Sequence, residues 1–103
     1  MIAKTPKTPY YAVIFTSKRT DVNQDYDKTA NRMVELAKKQ KGFLGVESAR
    51  NDLGITVSYW ESIESIKSWK NEREHKVAQQ KGKEVWYTAF KVRICRVERD
   101  YEF

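Results

Sequence analysis

The run Tyr10–Ser17 (YYAVIFTS) concentrates β-branched and aromatic residues and predicts a strand. Its apolar side chains fall on both faces, so cover is expected on both sides. After a polar loop over 18–24, the period changes. Tyr26, Ala30, Met33 and Ala37 recur at helical spacing with Leu36 beside them, predicting a helix over 25–40. Asp25 or Asn23 is placed to cap its start, Lys38, Lys39 and Lys41 suit its negative end, and Gly42 supplies the stop. Phe43–Arg50 and Ile55–Trp60 then read as two strands. The short turn between them, at Asn51-Asp52 with Gly54 in the turn or at a bulge, predicts an antiparallel hairpin. Ser62 is a plausible N-cap for a second helix carrying Ile63, Ile66 and Trp69. The pattern loosens across Asn71-Glu72-Arg73 and resumes at Val77-Ala78, so this helix is expected in two pieces, ended by Gly82. Val85–Val97 predicts a long last strand with Trp86, Phe90, Val92 and Ile94 on one face and Tyr87, Ala89, Lys91, Arg93 and Cys95 on the other.

The order is β-α-β-β-α-β, the ferredoxin-like α+β arrangement of an antiparallel sheet with helices on one face. Apolar residues also point away from the helices, and a second subunit's sheet is the simplest cover for them. A homodimer is therefore expected. Residues 1–9, with two Lys and two Pro, read as a flexible N-terminal arm, and residues 10–103 as a single domain.

Composition narrows the partners. The net charge of +6 is spread along the chain, with ten Lys/Arg against six Asp/Glu in residues 1–52 and ten against eight in 53–103. With no one-sided cluster, a solvated surface is favoured over a nucleic-acid interface. Cys95 stands alone in an alternating apolar run, which excludes a disulfide within the chain, suits a reducing cytoplasm and reads as a small buried hydrophobe. There is no stretch of membrane-span length and no signal-like apolar core in the first residues, so a cytoplasmic protein without membrane contact is expected.

Several chemistries find no support. Lys41-Gly42-Phe43-Leu44-Gly45-Val46 resembles an RNA-stacking motif only superficially. Gly45 and Ser48 stand where the stacking rings belong, and the segment comes one strand too early. Phosphate-cradling glycine loops and a serine-nucleophile elbow are absent. One Cys and one His do not make a structural zinc site, and Glu72, Glu74 and His75 read as a solvated helix face rather than as metal ligands.

The densest chemistry lies between Ser58 and Tyr87, where three Trp fall within 27 residues beside the chain's one histidine. Ser58-Tyr59-Trp60-Glu61-Ser62, Trp69, Glu74-His75, Ala78-Gln79, Gly82, Trp86-Tyr87 and Val97-Glu98-Arg99-Asp100-Tyr101, together with Phe43-Leu44-Gly45-Val46-Glu47, resemble the antibiotic biosynthesis monooxygenase domain family, chiefly its small uncharacterised bacterial members. The resemblance spans nearly the whole chain from Tyr10. It implies a dimeric α+β barrel with a pocket between sheet and helices in each protomer. Some members oxidise polycyclic phenols with molecular oxygen and no cofactor, whereas others bind haem and break it down.

The phenol-oxidising members use an Asn, a Trp and a Tyr around the second helix. Trp69 matches the Trp, while Ser65 and His75 fall about where the Asn and Tyr would be. The haem-degrading members place an Asn on the first strand and a His ten residues beyond the helix Trp. Here those positions fall near Phe15 or Thr16 and on Gln79, so both sites are incomplete. In the cofactor-free case an electron-rich phenolate or carbanion itself reduces oxygen, and the protein need only deprotonate, hold and desolvate it. The expected site has His75 and Trp69 as catalytic residues, with Trp60, Phe15, Tyr11, Trp86 and Tyr87 lining an apolar cavity. Tyr59 or Arg93 would steady an anionic oxygen, although Arg93 also suits an ion pair between subunits. The resulting expectation is a cofactor-independent monooxygenase of a small aromatic or polyketide-like substrate. The alternatives are a haem-binding or haem-degrading enzyme and a non-catalytic ligand-binding dimer.

Overall fold

The computed structural model describes residues 2–103. The strands are β1 (Tyr10–Arg19), β2 (Phe43–Arg50), β3 (Gly54–Trp60) and β4 (Tyr87–Val97), and the helices are α1 (Tyr26–Lys38), α2 (Ile63–Lys70) and α3 (Arg73–Lys81). The strands form one antiparallel sheet in the order β2-β3-β1-β4, the ferredoxin-like topology expected from the element order.

Strand register sorts the side chains onto two faces. On the helix side, four rows cross the sheet. Trp60 and Tyr11 stand beside Arg96; Val46, Ser58 and Val13 beside Ile94; Ser48, Thr56 and Phe15 beside Val92; and Arg50, Gly54 and Ser17 beside Phe90. The helices seal the Trp60 end. There Trp60 is 0 % exposed, packed with Ala37 and Ile66 and flanked by Tyr11, Val13, Phe43, Ile63 and Trp69. Its indole N–H donates to the Ser58 hydroxyl at 2.9 Å, so the buried ring leaves no polar atom unpaired. At the other end Arg50, Ser48, Phe90 and Val92 are exposed.

The second face carries Tyr10, Ala12, Ile14, Ile55, Val57, Tyr59 and Arg93, and the N-terminal arm lies against part of it. The Ala3 N–H donates to the Glu47 carboxylate at 2.9 Å, Tyr59 donates to the same group at 2.5 Å, and Tyr10 donates to Asp100 at 2.5 Å. These bonds tie residues 2–5 and the C-terminal tail to the sheet.

Three local details depart from the sequence reading. Asp25 precedes α1 but sits at φ 63° and makes no side-chain cap, because a left-handed residue turns its carboxylate away from the first helical N–H groups. Gly82 caps the end of α3 as expected, but the backbone does not leave the helix there: it continues as a π-helical turn over Gly82–Trp86, and the last strand begins at Tyr87. Register against β1 shifts between Lys18 and Arg19, where Arg19 pairs with Tyr87 and Lys18 with Ala89. The extra residue, Thr88, turns Tyr87 onto the helix side with Phe90.

Two junctions position α2. Gly42, at φ 88°, lies so close to the helix that a Cβ there would stand 2.6 Å from Ser65 Cβ. Ser62 caps α2 as expected, accepting from the Ser65 N–H at 3.1 Å while Ser65 Oγ accepts from the Ser62 N–H. In urea denaturation Trp60→Ala is expected to cost about 3–5 kcal/mol, since it empties the middle of the sealed end. Ser62→Ala is expected to cost about 1 kcal/mol through the lost cap. Equal losses for the two would contradict this account of the core.

Candidate functional site

The site begins with a broken helix. In an uninterrupted α-helix residues six apart differ by about 240° around the axis and face different ways. Here α2 stops at Lys70, and Glu72 caps a new helix by accepting from the N–H groups of Glu74 and His75 at 3.0 Å each. The change of direction lays the His75 ring flat on Trp69, with centroids 4.0 Å apart and planes 12° apart. Trp69 in turn stacks on Trp60 at 6.2 Å, and Trp60 meets Phe43 edge-on at 5.4 Å. The broken helix expected from sequence is therefore what builds the site.

A carbonyl settles the tautomer of His75. Its Nδ1 lies 2.8 Å from the Trp69 carbonyl oxygen, which at the end of α2 also accepts the Glu72 N–H at 3.1 Å. A carbonyl only accepts, so Nδ1 carries the proton and Nε2 keeps its lone pair. The Gln79 amide nitrogen stands 3.3 Å from Nδ1 and 3.5 Å from Nε2, and with Nδ1 protonated only Nε2 can accept from it, in a long and weak bond. Burial pushes the His75 pKa below its usual value, with the Trp69 carbonyl opposing in part. The result is a neutral imidazole held on an indole face, with one basic nitrogen unspent. Arg32 clasps the base of α3 through two bonds to Glu74, each 3.1 Å long.

A second aromatic group occupies the far end of the helix side. Phe15 lies 5.3 Å from Tyr87 and 5.5 Å from Phe90. The Tyr26 and Tyr87 hydroxyls meet at 3.1 Å, and the Arg19 guanidinium covers the Tyr26 ring at 3.3 Å. Burial and the Tyr26 hydroxyl push the Tyr87 pKa upward, keeping it a neutral phenol. Trp86 backs this group. It is buried, stands edge-on to Tyr26 at 5.6 Å and donates its N–H to the Gln24 carbonyl at 3.2 Å.

Of the residues chosen from sequence, His75, Trp69 and Trp60 form one column, with Tyr11 packed beside it. Trp60 is fully buried and backs Trp69 instead of lining a cavity. Phe15 and Trp86 belong to the second group. Tyr59 and Arg93 are corrected as oxyanion partners of His75, because strand alternation puts both on the face away from the helices. There burial and the Glu47 carboxylate push the Tyr59 pKa up to about 12, so its proton stays in the bond to Glu47. Tyr26, Gln79, Ser17 and Arg50 entered no sequence-based site; of these, only Arg50 had a pointer, the strand glycine Gly54 across from it. Two open depressions complete the surface. One of about 240 Å3 is lined by Ser17, Leu53 and Phe90 among others, and one of about 550 Å3 by Ile2, Glu47, Ile55 and Val57 among others.

Comparison with known proteins puts this geometry in context. A curated protein of Bacillus subtilis (strain 168), the uncharacterized protein YqjZ, is 49% identical over 104 residues, covering 99% of this chain and 91% of its own. Among solved structures, SnoaB from Streptomyces nogalater, described as a cofactor-independent oxygenase, superposes with a TM-score of 0.77 at 7% identity, covering 90% of this chain and 97% of its own. A conserved protein from Methanosarcina mazei gives a TM-score of 0.75 at 11% identity, covering 84% and 91%. At such identities these structures speak for the fold alone. No helix among the described residues is long and apolar enough to cross a membrane. The family model for antibiotic biosynthesis monooxygenase matches residues 9–81, and with the sheet order and the Trp69–His75 stack already in view, the chain belongs to that family.

Proposed function

We propose that this protein is a cofactor-independent monooxygenase of an electron-rich aromatic or polyketide-like substrate, with His75 as its base and Trp69 as the surface that orients it. The observation carrying this reading is the Trp69–His75 stack, in which Nδ1–H is anchored on the Trp69 carbonyl and Nε2 is left as an acceptor. The fold shared with SnoaB, described as a cofactor-independent oxygenase, agrees with it. For an anthrone-type methylene the steps balance without a metal or flavin. Nε2 takes a proton from the carbon, the carbanion passes one electron to oxygen, and the radical pair joins in a new C–O bond. The imidazolium returns its proton to the peroxide, which loses water. One oxygen atom stays as the ketone and the other leaves in that water. A neutral imidazole at pH 7, secured by burial, meets the first requirement.

The functional unit in this reading is a homodimer. The face away from the helices carries Ala12, Ile14, Ile55 and Val57, and Ile55 is 43% exposed in the single chain. Arg93, on the same face, suits an ion pair with the second subunit. Light scattering at micromolar concentration is expected to report twice the 12.2 kDa chain mass, and a stable particle of 12.2 kDa would remove the dimer.

Turnover is tested with anthrone as probe substrate under labelled oxygen. The wild type is expected to insert one labelled atom, and His75→Gln to lose about a hundredfold or more of that rate. Unchanged turnover in His75→Gln removes the base. A Soret shift on titrating haemin, with no anthrone turnover, assigns the site to haem instead.

His75 is the chain's one histidine, so its imidazole titration is read by proton NMR without assignment. Its midpoint is expected below 6.5. The unfolded chain then binds more protons than the native one below that pH, so this group's stabilisation is complete above pH 6.5 and is lost as pH falls toward the depressed native value. Trp69→Leu is expected to move the midpoint back up. A midpoint at or above 6.5 in the wild type contradicts the buried neutral base.

A further inference from the structure

We propose that Arg50 is the anchor of a second subsite, at the open end of the helix side of the sheet, that holds the carboxylate of an aromatic acid. The guanidinium is held in a built cradle. It donates through Nη2 to the Ser17 hydroxyl and through Nη1 to the Ser17 carbonyl, and Ser17 is itself only 2% exposed. Gly54, the register partner of both Arg50 and Ser17, is buried, and a Cβ there would overlap the guanidinium. Glycine at this position thus leaves the space in which the arginine head lies.

The cradle holds a cation without neutralising it. Among the described residues both ion pairs involve Arg32, so Arg50 has no carboxylate partner. Arg50 is exposed, and a fork of planar donors matches the two oxygens of a carboxylate. The neighbours define what the anion is attached to. In the same row and the next stand Phe90 and Phe15, with Tyr87 packed on both, a set of ring edges and faces suited to a flat aromatic body. Ser48 and Thr56, hydrogen-bonded to each other at 3.0 Å on the same face, supply further polar groups. Ser17 and Phe90 also help line the depression of about 240 Å3. One fixed guanidinium without a carboxylate partner favours a monoanion over a neutral ring. The subsite does not depend on the oxygenase reading, because it makes no use of His75.

The probe is 2-naphthoate, with uncharged 2-naphthalenemethanol as its control, followed by calorimetry on the full chain. The wild type is expected to bind the acid more tightly than the alcohol, and Arg50→Gln to weaken the acid by about tenfold to a hundredfold while leaving the alcohol unchanged. Gly54→Ala, which displaces the guanidinium but keeps its charge, is expected to weaken the acid similarly. A wild type that does not prefer the acid, or an Arg50→Gln variant that retains the preference, overturns the proposal. The wild-type comparison decides even if a variant fails to fold.

Discussion

The geometry of this protein turns on one shared carbonyl. Where α2 ends at Lys70, the Trp69 carbonyl accepts the Glu72 N–H at 3.1 Å and keeps a second lone pair to offer. The His75 N–H takes that second position, and the imidazole lies on the indole as it does so. The same bond therefore selects the tautomer, leaves the lone pair on Nε2 and holds the ring where it is partly desolvated. Glu72 completes the arrangement from the other side, since capping α3 fixes the backbone from which His75 projects.

Behind that bond the helix side is divided in two. Toward Trp60 it is a packed aromatic core with every polar atom paired, which gives Trp69 a rigid backing. Toward Arg50 the helices withdraw and leave serine, threonine and arginine side chains on an open floor. Ser58 serves the core by accepting the Trp60 N–H, whereas Ser48, Thr56 and Ser17 bond to one another or to Arg50 and leave this end polar.

Much of the fold was legible because each strand and helix carries its own period. The order of elements, the capping Ser62 and the interruption near Asn71 follow directly from alternation, helical spacing and cap chemistry. Tyr87 was placed on the wrong face because a single extra residue, Thr88, reverses the alternation without changing the composition around it. Trp69 and His75 were legible as candidates, but their stacking was not, since nothing in a side-chain pattern records where a helix-end carbonyl points. Tyr59 was expected, like Arg93, to steady an anionic oxygen, but it lies on the face away from the helices. One residue along a strand is enough to send a side chain through the sheet. Arg50 drew no notice because its cradle is assembled from three strands, which sequence distance conceals.

The clasp between α1 and α3 has a consequence of its own. No side chain of α3 is fully buried, His75 being covered in large part by Trp69, and the helix is linked to α1 by the Arg32–Glu74 pair, which water reaches freely. Mobile ions weaken such a pair far more than they weaken packing. A rise in ionic strength thus loosens the outer seam between the two helices, leaving the ring stack and the sheet beneath it untouched.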